Sequence, residues 1–562
     1  MKKSTVKRTM AFALAAAFLM TALLVAGCSC RTYRRDTFDY NDIKYERIDY
    51  EALETAFEQA NSLVNGNYIS LVNASNTAVG YLNTLIGDYQ YVYVEYAKDT
   101  EAWRDEFTWI SNAYSQATSL YYELLYNVLQ SSNADRFFSG WSEEEKQLIV
   151  QRHEAMDDEY LALQTEITQL ETEYNAIDTD DQKEYADEAA EILIDLVAAY
   201  NKLAAAEGYD NYMEYAYEND YGRSYSPEDA ERLCGYVKQY LAPLSDNVYL
   251  EYLSKVSAMN SRRSSAAGGL ASPLSASYTD YVALSENVLK SYFEEIGDYM
   301  TEAYDYLNEC NLYYQATAMN NPNGLTGAFT TFLYNNDAPY IYQYCGGDSS
   351  DISTFVHEFG HFTSYYVNGS SGGSDLDVAE IQSQANEMLF LPYYEQLFTN
   401  ADALVMNELF SSLFWSVTMG CIFDEFQREI YTSPESYATA DDINALFDRL
   451  LEEYNADWYA TRYESQMDNG YDFTYWWAEV SHTFQSPFYY ISYAVSALPA
   501  LTIYEDSKTD RAAAIAEYNY IQQYGNGVYT FGELLNNAGV ASPFTESTLR
   551  SLADFIESEI AA

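Results

Sequence analysis

The chain has 562 residues, 48% of them hydrophobic, which is enough for one large domain or two to three ordinary ones with a substantial core. Lys and Arg number 29 against 86 Asp and Glu, a formal net charge of −57. Phosphate contacts need Lys and Arg, so this composition argues against nucleic-acid binding; it keeps a chain soluble and, more weakly, favours cationic peptides.

Residues 1–27 stand apart from any fold. Lys2, Lys3, Lys7 and Arg8 precede the apolar run "MAFALAAAFLMTALLVAG", the pattern of a secretory signal. It closes on Val25-Ala26-Gly27-Cys28, which resembles a bacterial lipobox. That resemblance implies cleavage before Cys28 and lipid attachment to its sulfur, an anchor of buried methylenes rather than a spanning helix. Cleavage without lipidation, or an uncleaved N-terminal anchor, are the alternatives. No other run approaches the roughly 20 apolar residues of a membrane span. The expected location is therefore extracytoplasmic, lipid-anchored to the bacterial cell membrane. Disulfides can form there, but Cys30, Cys234, Cys310, Cys345 and Cys421 are widely spaced, with no C-x-x-C pair. They are expected to be buried small apolar side chains, with one bridge left open.

Residues 28–45 read as a polar tether, 46–140 as an N-terminal helical region, and 141–562 as the region that carries the chemistry. From about residue 50 to 250 the pattern is helical almost throughout. The stretch 142–174 keeps apolar residues at steps of three and four, with charges between them. The next such run ends at Gly208, a helix-terminating glycine. "SPEDAERL" opens another helix with Ser226 as N-cap, Pro227 at the first helical position and an acidic first turn. The small-residue segment "NSRRSSAAGGLASPLSASY" (260–278) reads as a surface loop. Strand-like sequence is scarce: "GAFTTFLY" (327–334) and "PYIYQYCG" (339–346), joined by "NNDA", form a candidate hairpin. The fold class expected is mainly α, with a small sheet beside the helix that follows.

That helix is "SSDISTFVHEFGHFTSYYVNG", with Ser350 or Asp351 as N-cap and Asn368-Gly369 as terminator. The chain has four histidines and spends two of them here. In a helix His357 and His361 differ by about 40° in direction and about 6 Å in rise, so both imidazoles can reach one zinc ion at about 2.0–2.1 Å. Glu358 points roughly 100° away, placed to take a proton from water in the open position; this is the mechanical content of H-E-x-x-H. Ser364 and Val367 stand where a metzincin needs Gly and His, so the third ligand lies elsewhere. "SGGSDLDVAEIQSQANEMLF" supplies Glu380, although Asp377-x-x-Glu380 also reads as a capping-box start. Glu387, seven residues on, shares its face and suits support of a ligand imidazole. His153 sits in a charged helix and is expected to be solvated. His482 precedes a helix expected to be capped by Ser486 with Pro487 at its first position. Tyr490 and Tyr493 share a face of that helix, with Tyr489 the next candidate. A Tyr hydroxyl or His N–H can donate to a developing oxyanion, but with 59 tyrosines in the chain spacing alone leaves this open.

At these residues the chain resembles the M3 family of zinc metallopeptidases, its oligoendopeptidase F branch. "EGYDNYMEYAYE" resembles the family's Gly-Tyr-x-x-Tyr segment, and "GAFTTF" with "PYIYQY" its edge strands. "HEFGH" carries the family's Gly360, and "AEIQSQANE" resembles the segment bearing the Glu ligand. "HTFQSPFYYISYA" resembles the late His/Tyr segment that contacts substrate. The similarity runs from about residue 45 to the C-terminus. It implies an elongated helical zincin-like fold with a deep substrate channel, one zinc per chain on His357, His361 and Glu380, and Glu358 as general base. His482, Tyr490 and Tyr493 would steady the transition state. The implied partners are short unfolded oligopeptides cut at internal bonds. Two features depart from the family: the link "VNGSSGGSDLD" is short, and many relatives are cytoplasmic. The competing readings are a lipoprotein that binds peptides without cutting them, and a helical zinc carboxypeptidase. The latter needs a cation for the substrate's terminal carboxylate, and neither motif supplies one conspicuously.

Overall fold

Many of the helices begin where the sequence gives the backbone a cap. Asp99 is the clearest case: extended at φ −150°, it ends one long helix and accepts from the N–H groups of Glu101 and Ala102 to start the next. The computed structural model describes residues 37–154, 158–179, 181–266, 279–373, 375–466 and 471–561. Cys28, the signal segment and residues 267–278 lie outside the described residues. Among those described, helices predominate and one small sheet is present, which is the mainly α class expected; none of the helices is long and apolar enough to cross a membrane.

The chain forms two compact units. One holds residues 34–166 and 306–345. Its helices α1 (Tyr50–Ser62), α2 (Tyr68–Lys98) and α3 (Thr100–Leu129) pack on one another through buried leucines, alanines and tyrosines such as Leu82, Leu85, Tyr89 and Ile110. Its sheet has the order β1 (Tyr313–Ala316), β3 (Ala338–Tyr344), β2 (Ala328–Leu333). The expected hairpin is present: β2 and β3 are antiparallel, from Ala328 opposite Gln343 to Leu333 opposite Ala338. A 3-10 turn over Tyr334–Asn336 and left-handed Asp337 (φ 50°) connect them. The parallel strand β1 was not legible, since four residues are too few to show alternation. His153 differs from expectation too. It is half-buried and stacks face to face on Tyr126, ring centroids 3.7 Å apart, because the neighbouring helix offers an aromatic surface.

The other unit holds residues 167–305 and 346–562. In it α4 (Gln182–Ala206) ends before Gly208 at φ 89°, and α5 (Pro227–Tyr236) has the full capping box of Ser226 and Asp229. The helix Ser245–Ala266 runs into the segment read as a loop, so residues 260–266 are helical; Ser and Arg there continue a helix already nucleated upstream. The core elements are α6 (Ser350–Asn368), α7 (Leu376–Phe390), α8 (Met419–Thr432), α9 (Ile491–Thr509) and α10 (Arg511–Tyr524). α6 is buried nearly all round: Phe355, Phe359 and Phe362 stack along it, and Phe359 meets Phe293 at 4.5 Å. Each such ring contributes about 2–3 kcal/mol by leaving water. Cys234, Cys310, Cys345 and Cys421 are buried thiols, as expected of apolar fillers.

Candidate metal centre

The start of α6 differs in detail from the sequence reading. Ser349 is the N-cap residue, and Asp351 instead folds the incoming chain back by accepting from the N–H groups of Gly346 (2.9 Å) and Gly347 (2.8 Å). Gly369, at φ 65°, ends the helix where expected. α7 starts at N-cap Asp375, whose carboxylate accepts from Val378 N–H. Glu380 therefore lies inside the helix and is not part of a capping box with Asp377.

Gly360 lets these two helices meet. A Cβ there would lie 2.5 Å from the Gln382 carbonyl oxygen and 2.8 Å from the Ser383 Cα, so no other residue fits. Side-chain amides pin the crossing: Asn386 donates to the Val356 carbonyl (2.7 Å) and Gln522, on α10, to that of Gly360 (3.2 Å). The crossing brings the Glu380 carboxylate (Oε2) to 3.5 Å from His357 Nε2 and 3.7 Å from His361 Nε2. One donor atom from each of the three lies within 4.8 Å of the others.

Glu387 does what its spacing suggested. Its Oε1 is 2.6 Å from His357 Nδ1, so Nδ1–H donates to Glu387 while Nε2 faces Glu380. Ser353, one turn before His357, donates to the other Glu387 oxygen at 3.0 Å; the sequence reading passed over it, though its i,i+4 position was visible. Burial pulls the His357 imidazole down, yet Glu387, then Glu380 and Glu358, overcome this and carry it up to about 10. Burial holds His361 down at about 4, so its ring is neutral and one of its nitrogens keeps a lone pair. A site that draws a proton onto one histidine while keeping the other neutral is short of a cation. Two imidazole nitrogens and one carboxylate oxygen are a zinc-type donor set, so the residues fit the ion. Glu358 is buried beside His357.

The late segment converges as well, with a different start. His482 sits on a short turn (His482–Gln485), and α9 begins at Ile491 with Tyr490 as its N-cap residue, not at Ser486-Pro487. Phe488, at φ 65°, interrupts the expected helix. The His482 ring lies 5.2, 5.3 and 6.0 Å from those of Tyr489, Tyr490 and Tyr493. Burial lowers His482 to about 4 and raises Tyr490 to about 12. Burial raises Tyr489 and Tyr493 well above the ordinary phenol range, with the Glu380 charge adding to it. All three phenols are therefore protonated donors near the ligand set. From Tyr490 an aromatic wall continues through fully buried Phe423 (4.7 Å) to half-buried Trp476 (5.6 Å from Phe423) and Trp415 (5.4 Å from Trp476).

Residues 319–554 match peptidase family M3. That M3 stretch contains α6, α7, the His482 turn and α9. The chain is 24% identical over 226 residues to Oligopeptidase PepF of Bacillus subtilis (strain 168), a match covering 38% of this chain and 32% of that protein. The alignment thus spans about a third of the length of the curated relative. Among solved structures, one described as an oligoendopeptidase F superposes with a TM-score of 0.70 at 19% identity, covering 93% of this chain and 99% of the other. An oligoendopeptidase F from Bacillus anthracis str. Ames gives 0.68 at 20% identity, over 94% and 99% of the two chains. At those identities the likeness shows a shared fold.

Proposed function

We propose that this chain is a zinc-dependent endopeptidase that hydrolyses internal bonds of short unfolded oligopeptides outside the cell membrane. The M3 match and the oligoendopeptidase F fold support a metallopeptidase acting on oligopeptides. The observation that carries the finer reading is the convergence of His357 Nε2, His361 Nε2 and Glu380 Oε2 beside buried Glu358, with the Glu387 carboxylate fixing the His357 tautomer. His357, His361 and Glu380 would hold one zinc, which when bound supplies Lewis-acid polarisation of a carbonyl and acidifies water. The Glu358 carboxylate takes the proton of the attacking water and returns it to the leaving amine nitrogen. His482, Tyr490 and Tyr493 donate hydrogen bonds to the oxygen that gains charge; both phenols keep their protons at neutral pH, and neutral His482 still offers one ring N–H. The lipobox at Cys28 supports a membrane tether and an extracytoplasmic peptide supply.

The test is a mixed peptide library followed by mass spectrometry, with chelator and with zinc restored, for wild type and Glu358→Gln. Internal cuts should vanish with chelator, return with zinc, and fall by about 10²–10⁴-fold in Glu358→Gln while zinc stays bound. Near wild-type turnover in that variant removes Glu358 from the mechanism. Single-residue trimming from the C-terminus favours the carboxypeptidase reading, and stoichiometric zinc without any cleavage favours a peptide-binding lipoprotein.

A further inference from the structure

Arg223 is a buried cation to which the chemistry above gives no task. Its side chain is 1% exposed and lies over the rings of Tyr217 and Tyr221, at 4.3 and 4.5 Å. An arginine sealed away like this loses its hydration, which its contacts must offset. Its hydrogen bonds go to one place. Nη2 donates to the Phe488 carbonyl (2.7 Å) and to Ser492 Oγ (3.0 Å). On its other side Nε stands 4.0 Å from Asp377 Oδ2, three residues before Glu380 on α7. That gap exceeds a hydrogen bond, and Arg223 Nε, Nη1 and Asp377 Oδ1 make none. The guanidinium thus spends its geometry on Phe488 and reaches Asp377 by charge alone.

Phe488 is where such a hold is needed. A phenylalanine at φ 65° is strained and persists only when its surroundings over-determine it. Three ties do so: Gln427 on α8 accepts from the Phe488 N–H (2.8 Å), Arg223 binds its carbonyl, and Tyr221 donates to the Pro487 carbonyl (2.8 Å). The kink turns the chain from the His482 turn into α9, which is what presents Tyr489, Tyr490 and Tyr493 to His482.

We infer that Arg223 is a positioning residue that locks the Pro487–Tyr493 segment to the helix bearing Glu380, and so sets where the tyrosine hydroxyls stand relative to the metal ligands. This rests on the zinc-peptidase reading for its catalytic consequence, while the ordering of the segment is measurable without it. The experiment uses the full chain, zinc-loaded, as wild type, Arg223→Met and Arg223→Lys. Hydrogen exchange is followed by mass spectrometry, and turnover with an internally quenched peptide. In Arg223→Met, exchange should quicken about tenfold or more in peptides covering 486–493 and stay unchanged in α6 and α7, with zinc stoichiometry intact. Turnover should fall about tenfold or more with KM within about twofold, since small misplacements of donors cost rate. Arg223→Lys should recover part of both effects, because an ammonium still reaches one carbonyl. In a Tyr490→Phe, Tyr493→Phe background, Arg223→Met should cost little further turnover.

Unchanged exchange in 486–493, or exchange raised evenly through the whole unit, overturns the inference. So does a turnover loss that is the same factor with and without the hydroxyls. If the zinc-loaded wild type cleaves nothing, the peptidase reading falls and the exchange pattern alone decides for or against Arg223. Should Arg223→Met not fold, Arg223→Lys and Asp377→Asn carry the same comparison.

Discussion

The two candidate ligand histidines differ in what holds them. His357 has Glu387 behind it, whereas burial, helped by the charge on His357, keeps His361 neutral. Glu387→Ala should therefore weaken zinc by about 10–100-fold, measured by titration against a chelator of known affinity, with the helices intact by circular dichroism. A second buried carboxyl makes a separate prediction, about stability. Glu171 accepts from Tyr200 at 3.2 Å, and burial raises it to about 8. With its folded-state pKa above the unfolded one, it enters the fold protonated. Its contribution is full below about 4.5 and is lost as pH rises through about 8. Glu171→Gln should therefore flatten the fall in melting temperature between about pH 5 and 8, and raise it at the upper end, read by calorimetry. At this scale the sequence was legible where chemistry follows spacing: His357, Glu358 and His361 on one turn, Glu380 and Glu387 on one face. It was silent on Arg223 and Gln427, because contacts between residues more than two hundred and about sixty positions from Phe488 leave no periodic trace.

Helix identity was read well from periodicity and helix starts less well. Ser226 and Gly208 were right because their signals are local and unopposed. At Ser486-Pro487 the local signal was just as good, but tertiary bonds to Phe488 hold a left-handed residue there and delay the helix to Ile491. The hairpin was visible and its parallel neighbour was not. Gly360 carries the strongest prediction at this scale. Gly360→Ala puts a methyl within 2.5 Å of the Gln382 oxygen and forces α6 and α7 apart. We expect a loss of bound zinc measured by metal analysis, and a destabilisation of at least about 1–3 kcal/mol by denaturant titration. Gly420→Ala is a milder comparison, since its new Cβ would meet the Ala494 methyl at 2.9 Å.

For the molecule as a whole, composition indicated the class. With 86 acids and 29 bases the charge argues against nucleic-acid binding, and the helical periodicity anticipated the mainly helical fold. The division into residues 34–166 with 306–345, and 167–305 with 346–562, could not be read from sequence, because each unit is assembled from distant segments. The tether we propose predicts that Cys28→Ser moves the protein from the membrane fraction to the soluble one without altering peptide cleavage, checked by fractionation and assay of both pools. The aromatic wall beside the tyrosine segment has an optical consequence. Trp476 and Trp415 are half-buried and linked through Phe423 to Tyr490, and the chain has only seven tryptophans. An occupant that displaces water from that wall shifts their emission, so the protein carries its own fluorophore for timing arrivals and departures at the site.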